Sequence, residues 1–225
     1  MVVVPSHLDW VTVKTTLPQL PYLPSPSRRA VRTERLLLRP PVESDLDAYH
    51  VIRSQPEVMR WTGKGVPDAD AAETWKVLSQ KFPPNDAANF DFAICLVDTG
   101  ELIGLGGSHE RTGELGWPVI GYLLHKDAWG KGYATEFLKG FLEAWWELPR
   151  SDVELKVERD SVQGDEVVKT ECISAVTHAT NMTSKKVLTK CGMQLVKIFP
   201  EKGSDDFEDD EKLGHGFTLP RPEAR

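Results

Sequence analysis

The chain is short of cysteine, and none of its cysteines stand close together: Cys95, Cys172 and Cys191 are odd in number and widely spaced. With no Cys-x-x-Cys pair, neither a zinc site nor a redox motif is expected, and each cysteine reads as a small buried apolar residue. No stretch of about 18 apolar residues occurs, and the N-terminus lacks a basic region followed by an apolar core, so a cytoplasmic protein with no membrane partner is predicted. Positive charge is also in deficit. With 27 Lys and Arg against 34 Asp and Glu the net charge is −7, which argues against a diffuse attraction to nucleic acid or anionic membrane. A local basic pocket is still compatible with that balance. Nothing in composition divides the 225 residues into dissimilar halves, so one domain with a sizeable core is predicted.

Along the chain, Pro18, Pro21, Pro24 and Pro26 forbid regular helix, and residues 1–31 read as an extended, proline-rich arm with a poorly ordered terminus. A strand is predicted over Glu34–Arg39, stopped by Pro40 and Pro41. A helix then begins near Ser44 with Leu46, Tyr49 and Ile52 inward, and a second spans roughly Ala71 to Phe82. Phe90–Val97 and Glu101–Gly106 form a hairpin about Asp98-Thr99-Gly100. Val119–Leu124 is apolar on both faces, as in a covered central strand, and helical spacing of Phe137, Leu138, Phe141, Leu142 and Trp145 follows until Pro149. The charged segment at about 151–169 reads as an inserted loop or hairpin. Beyond it come a strand at Glu171–His178, a helix at Asn181–Cys191, a strand at Met193–Phe199 and a final strand at about Leu213–Leu219. The acidic run Asp205 to Glu211 reads as an exposed loop, or as a screen that attracts cationic amines.

The junction Trp129-Gly130-Lys131-Gly132-Tyr133-Ala134-Thr135 carries the chemistry. It joins the central strand to the amphipathic helix, whose first turn has unpartnered N–H groups and the positive end of the macrodipole. Gly130 and Gly132 allow backbone to curl round a phosphate, and Lys131 adds charge. From glycine spacing alone an ordinary strand-to-helix turn explains the segment equally well. It lacks the Gly-Lys-Ser/Thr ending of a P-loop and the three spaced glycines of a dinucleotide site. Downstream, Asn181 suits a helix N-cap and Gly192 a left-handed C-terminal position, so Asn181–Met193 is also explained as a short capped core helix.

Taken together, the two segments resemble the GNAT acyltransferases, in their RimJ/RimL-like branch. Trp129-Gly130-Lys131-Gly132-Tyr133-Ala134 is similar to that branch's acetyl-CoA signature, with Trp129 standing where the wider family has Gln or Arg. The stretch from Asn181 through Ser184 to Gly192 and Met193 resembles its second motif, and Arg32 to Pro40 its opening strand. The resemblance covers Arg32 to the C-terminus except the insertion. It implies a single-domain α/β fold, a mixed and mostly antiparallel sheet with helices on both faces, over residues 32–225.

The resemblance further implies an acetyl-CoA-dependent N-acetyltransferase, with no metal, in which an amine attacks the thioester directly. Its partners are then acetyl-CoA and an amine acceptor, as monomer or homodimer. Leu123, Leu124 and His125 are expected to pair with the pantetheine amides, Gly130 to Thr135 to hold the pyrophosphate, Asn181 to bond the pantetheine arm and Lys186 to approach the adenosine phosphates. Ser184 is placed to hydrogen-bond the leaving sulfur. As a first-turn serine it is equally explained by local capping. Glu110 is the first candidate for general base, with His109 and His125 as rivals and a water chain as a further route. The alternative from another class is a CoA-binding regulatory protein without turnover.

Overall fold

The computed structural model describes residues 3–164, 166–200 and 206–223. In chain order these form β1 (Trp10–Pro18), β2 (Val31–Arg32), β3 (Leu36–Arg39), α1 (Leu46–Arg53), α2 (Pro56–Met59), α3 (Ala71–Leu78), β4 (Phe90–Leu96), β5 (Leu102–Glu110), β6 (Val119–Leu124), α4 (Tyr133–Glu147), β7 (Arg150–Glu158), β8 (Cys172–His178), α5 (Met182–Lys190), β9 (Gln194–Pro200) and β10 (Leu213–Pro220). Eight strands run in the order β2-β3-β4-β5-β6-β8-β10-β9, and β1 pairs with β7 in a separate ribbon. The ladders β2–β3, β3–β4, β4–β5, β8–β10 and β9–β10 are antiparallel, while β6 meets β8 in parallel at Val119 and Ser174. This is the α/β, mostly antiparallel mixed sheet expected from the sequence. Within it the residues gather into two compact units.

One unit comprises residues 20–109 and 121–147. Its helices form where apolar residues recur at three and four residue steps. Tyr49 and Ile52 of α1, Val58 of α2 and Leu78 of α3 are all buried, together with Leu105 of β5. Asp70 caps α3 by accepting from the Glu73 N–H at 2.9 Å. On α4 the inner stripe Phe137, Phe141 and Trp145 is fully buried and stacks with Phe90 and Phe92 of β4. Gly106 makes that approach possible. A Cβ there would lie 2.6 Å from the Phe137 ring, so α4 packs on β5 only because the side chain is missing.

The other unit comprises residues 1–19, 110–120 and 148–225. Val13, Leu115, Trp117, Val157, Cys172 and Phe199 form its core, and the Trp117 indole donates to Ser161 Oγ at 2.8 Å. Here two expectations are corrected. The proline-rich arm was expected to have a poorly ordered terminus, yet Trp10–Pro18 is a nine-residue strand with Val13 and Leu17 buried. The prolines that suggested an irregular arm begin only at its last residue. The segment read as an inserted loop or hairpin supplies the partner. Arg150–Glu158 pairs with β1 from Trp10↔Glu158 to Pro18↔Arg150, because Val153, Leu155 and Val157 alternate in the same way. Its partner is about 140 residues upstream, so no local turn signal announces the pairing.

A buried ionic cluster closes the end of that ribbon. Lys197 lies 2.8 Å from Glu158 and 2.9 Å from Asp160, and Glu158 also accepts the Asp9 N–H at 2.7 Å. In the acidic run, Lys212 pairs with Asp206 and Asp209 at 3.1 Å each. Asp205 and Asp165 lie outside the described residues.

Candidate functional site

The end of β6 is built from backbone alternation. His125 donates its N–H to Ile103 O at 2.8 Å, and the Leu123 carbonyl lies against Gly104, so both residues face β5. Side and backbone directions alternate along a strand, which turns the N–H and C=O of Leu124 and Tyr122 to the opposite edge. Trp129 confirms the direction by donating its indole N–H to Leu124 O at 2.9 Å. Of the three residues expected to pair with a ligand's amides, Leu124 turns its backbone groups away from β5, whereas the His125 N–H and the Leu123 carbonyl face that strand.

Gln55, at the start of α2, braces this end. Its Oε1 accepts the Lys126 N–H at 3.0 Å, and its Nε2 lies 2.5 Å from His125 Nε2. The other ring nitrogen of His125 accepts the Asp127 N–H at 3.2 Å, which opens a short 3-10 turn over Lys126–Ala128. Both imidazole nitrogens thus have a polar neighbour.

The turn that follows has Gly130 at φ +75° and Gly132 at φ +84°, and then α4 starts at Tyr133. These left-handed conformations cost an L-residue roughly 1–2 kcal/mol, which explains both glycines. No atom lies within 4 Å of where a Cβ would sit on Gly130. Lys131 is exposed beside it, and Tyr133, Ala134 and Thr135 are half-buried in the first turn of the helix. An open left-handed turn, the N-terminal end of α4 and an exposed basic side chain thus stand side by side, which makes this turn a candidate anion cradle.

Arg35, just before β3, was singled out by the sequence only as part of a strand. In the structure its Nη1 donates to Lys131 O at 2.9 Å and its guanidinium stacks on Tyr133, 4.8 Å from the ring centre. Its Nε and Nη2 each reach Glu136 Oε2 at 2.7 Å. Glu136 Oε1 accepts from Thr33 Oγ1 at 2.6 Å and from the Arg35 N–H at 2.7 Å. Burial opposes ionisation of Glu136, but these hydrogen bonds outweigh it and hold its carboxyl below the usual range. Gln55 and Arg35 were both missed as site residues. They lie roughly 70 and 96 positions from the loop they brace, so no local spacing reveals them.

In the other unit, Asn181 caps α5 by accepting the Ser184 N–H at 3.1 Å, and Gly192 has φ +85° at the far end, both as expected. Ser184 is half-buried in the first turn and Lys186 is exposed. Asn181 Oδ1 is committed to the cap, leaving its amide N–H₂ for any ligand. Glu110 and His109 are exposed at the end of β5. The Glu110 Oε2 lies 3.4 Å from where a Cβ would sit on Gly113. Burial, with help from Glu171, pushes the Cys172 thiol up to about 12, and burial also raises that of Cys95, so both are held as thiols. Among the described residues no cluster of three His, Cys, Asp or Glu side chains is placed to hold a metal, and no helix is long and apolar enough to cross a membrane.

Comparison with known proteins bears on these parts. A sequence model of the family described as "Acetyltransferase (GNAT) domain" matches residues 35–194. The "uncharacterized N-acetyltransferase p20" of Bacillus licheniformis is 30% identical over 131 residues, which are 57% of this chain and 73% of that protein. An acetyltransferase of the GNAT family from Bacillus anthracis has a similar structure, with a TM-score of 0.63 at 20% identity over 86% of this chain and 99% of that one. Mycobacterium smegmatis RimJ, solved in complex with CoA-disulfide, gives a TM-score of 0.57 at 18% identity over 85% of this chain and 86% of that one.

Proposed function

The chain belongs to the acetyltransferase (GNAT) domain family, and from that premise we propose that it moves an acetyl group from acetyl-CoA to a primary amine, as a RimJ/RimL-like N-acetyltransferase of the cytoplasm. The observation that carries the reading is the Trp129–Thr135 turn, whose two left-handed glycines open a 15-residue helix. The cradle fits a diphosphate. Its space at Gly130 is one that any Cβ would enter, and its donors are first-turn amides flanked by Lys131 and Arg35. A thioester bound there supplies the activated acetyl group.

The remaining roles belong to this chain's own residues. The Leu124 N–H, on the edge of β6 turned away from β5, is the candidate partner there for a pantetheine amide. The Asn181 amide and the exposed Lys186 are the candidate ligands on α5 for the pantetheine arm and the adenosine phosphates. Ser184 Oγ–H donates a hydrogen bond to the departing sulfur, and a Glu110 carboxylate oxygen takes the amine's proton, directly or through water. The buried Cys95 and Cys172, with raised thiol pKa values, favour direct attack by the amine over an acyl-enzyme on either.

The test is release of free CoA thiol when amines and N-terminal peptides are offered with acetyl-CoA, with products identified by mass. Amine-dependent release and an acetylated product support the enzyme. Thermal protection by acetyl-CoA with no release across the whole panel would establish a binding protein without turnover, and absence of protection would rule out the acetyl-CoA site.

A further inference from the structure

The phosphate seat carries a contradiction. Glu136 is in the first turn of α4, the turn whose amides are to receive an anion, and an ionised carboxylate there repels a diphosphate as surely as the helix dipole attracts it. The structure resolves this through Arg35. Its guanidinium spends one N–H from Nε and one from Nη2 on Glu136 Oε2, and one from Nη1 on Lys131 O. A guanidinium has five N–H donors, so two remain. Its side chain is 44% exposed, and Nη2 sits 3.4 Å from where a Cβ would lie on Gly132. The remaining Nη2 donor therefore stands at the second glycine of the cradle, and the remaining Nη1 donor is on the nitrogen that holds the Lys131 carbonyl. Tyr133 fixes the plane of the group from one face, and Thr33 and the Arg35 backbone fix the carboxylate it holds.

We infer that Arg35 is the positioning and charge-screening residue of the acetyl-CoA diphosphate site: it neutralises Glu136, ties down the Lys131 carbonyl and offers its two remaining N–H groups to the phosphate. The inference rests on the reading of the Gly130–Gly132 turn as the phosphate seat. It also gives Glu136 a definite place. The carboxylate aims the guanidinium and has no contact with ligand of its own. Lysine would not replace Arg35, because an ammonium cannot bridge a carboxylate, a carbonyl and a phosphate in one plane.

The experiment compares acetyl-CoA affinity, by calorimetry, and the KM and kcat for acetyl-CoA in wild type, Arg35→Met, Arg35→Lys, Glu136→Gln and the double variant Arg35→Met/Glu136→Gln. Met keeps the apolar stem against Tyr133. Arg35→Met is expected to weaken acetyl-CoA binding about tenfold to a hundredfold, through KM with kcat nearly kept, as befits lost hydrogen bonds to a charged group. Arg35→Lys recovers less than half of that loss on a logarithmic scale. Glu136→Gln, whose amide oxygen can still accept from the guanidinium, binds within a few-fold of wild type, and the double variant binds more tightly than Arg35→Met but less tightly than wild type, because it removes the repelling carboxylate without restoring the hydrogen bonds from Arg35. Unchanged affinity in Arg35→Met, or a double variant as weak as Arg35→Met, overturns the inference while leaving the seat intact. A tenfold weaker Glu136→Gln does the same. A wild-type protein that does not bind acetyl-CoA overturns the seat itself, and the inference with it.

Discussion

Gly132→Glu separates the anion cradle from an ordinary turn. Gly132 has φ +84°, so any L-residue there costs roughly 1–2 kcal/mol of backbone strain. The nearest atom to a new Cβ is Arg35 Nη2 at 3.4 Å, the end of a flexible side chain, and no steric clash adds to the strain. At about 2–4 °C per kcal/mol for a chain of this size, Tm falls by about 2–8 °C and the protein stays folded. Binding responds far more. A carboxylate about 5 Å from a phosphate charge, at an effective dielectric of about 20, is repelled by about 3 kcal/mol, or roughly 200-fold in affinity. At an acetyl-CoA concentration of about 100 times the wild-type Kd, ligand raises wild-type stability by about 2.7 kcal/mol, or about 5–11 °C. At the same concentration the variant gains about 0.2 kcal/mol, under about 1 °C. Gly132→Ala carries the same strain without the charge and is the control: it should start equally low and keep most of the protection. The assay is thermal unfolding with and without acetyl-CoA. If Gly132→Glu is protected as fully as wild type, the phosphate does not lie at this turn and the argument from its geometry is wrong.

Three further outcomes follow from the same structure. Ser184→Ala should lower kcat about tenfold or more with acetyl-CoA affinity nearly unchanged, since its proposed hydrogen bond forms only as the sulfur departs; equal kcat would return Ser184 to a purely capping role. Lys197→Met should cost about 3–5 kcal/mol, or about 6–20 °C in Tm, because Glu158 is left buried without its cation; a shift below about 2 °C would show the cluster to be energetically idle. Burial disfavours ionised Asp68, but hydrogen bonds from Arg53, Lys64 and Thr74 prevail and hold its carboxyl well below the usual carboxylate range. Its stabilisation is therefore present above the unfolded pKa of about 3.9 and is lost as pH falls below about 5 toward the folded value. Asp68→Asn should be less stable than wild type at pH 7 by a margin that shrinks in acid, and a margin independent of pH in urea titrations would contradict the assignment.

Local pattern determined much of this molecule before any tertiary contact was considered. The helices at Leu46, Ala71, Tyr133 and Met182, the hairpin about Gly100, the central strand and the two motif segments all follow from periodicity, caps and turn residues, which act over a few positions. Alternation was also present in Val11 to Leu17 and in Val153 to Val157. It was outweighed there by prolines and charge, because a strand is stabilised by its partner and neither partner is near in sequence. The site divides on the same line. Gly130 and Gly132 were legible because a left-handed backbone needs glycine, and Asn181 because a cap needs a short oxygen-bearing side chain. Only the tertiary structure decided that Leu124 and not His125 turns its amide outward, since that depends on which strand lies beside β6. It alone brought Arg35 to Lys131 and Glu136, and Gln55 to His125, across 70 or more residues of chain. Sequence specifies what a residue is able to bond; the fold, by bringing distant segments within hydrogen-bond reach, specifies which of those bonds are made.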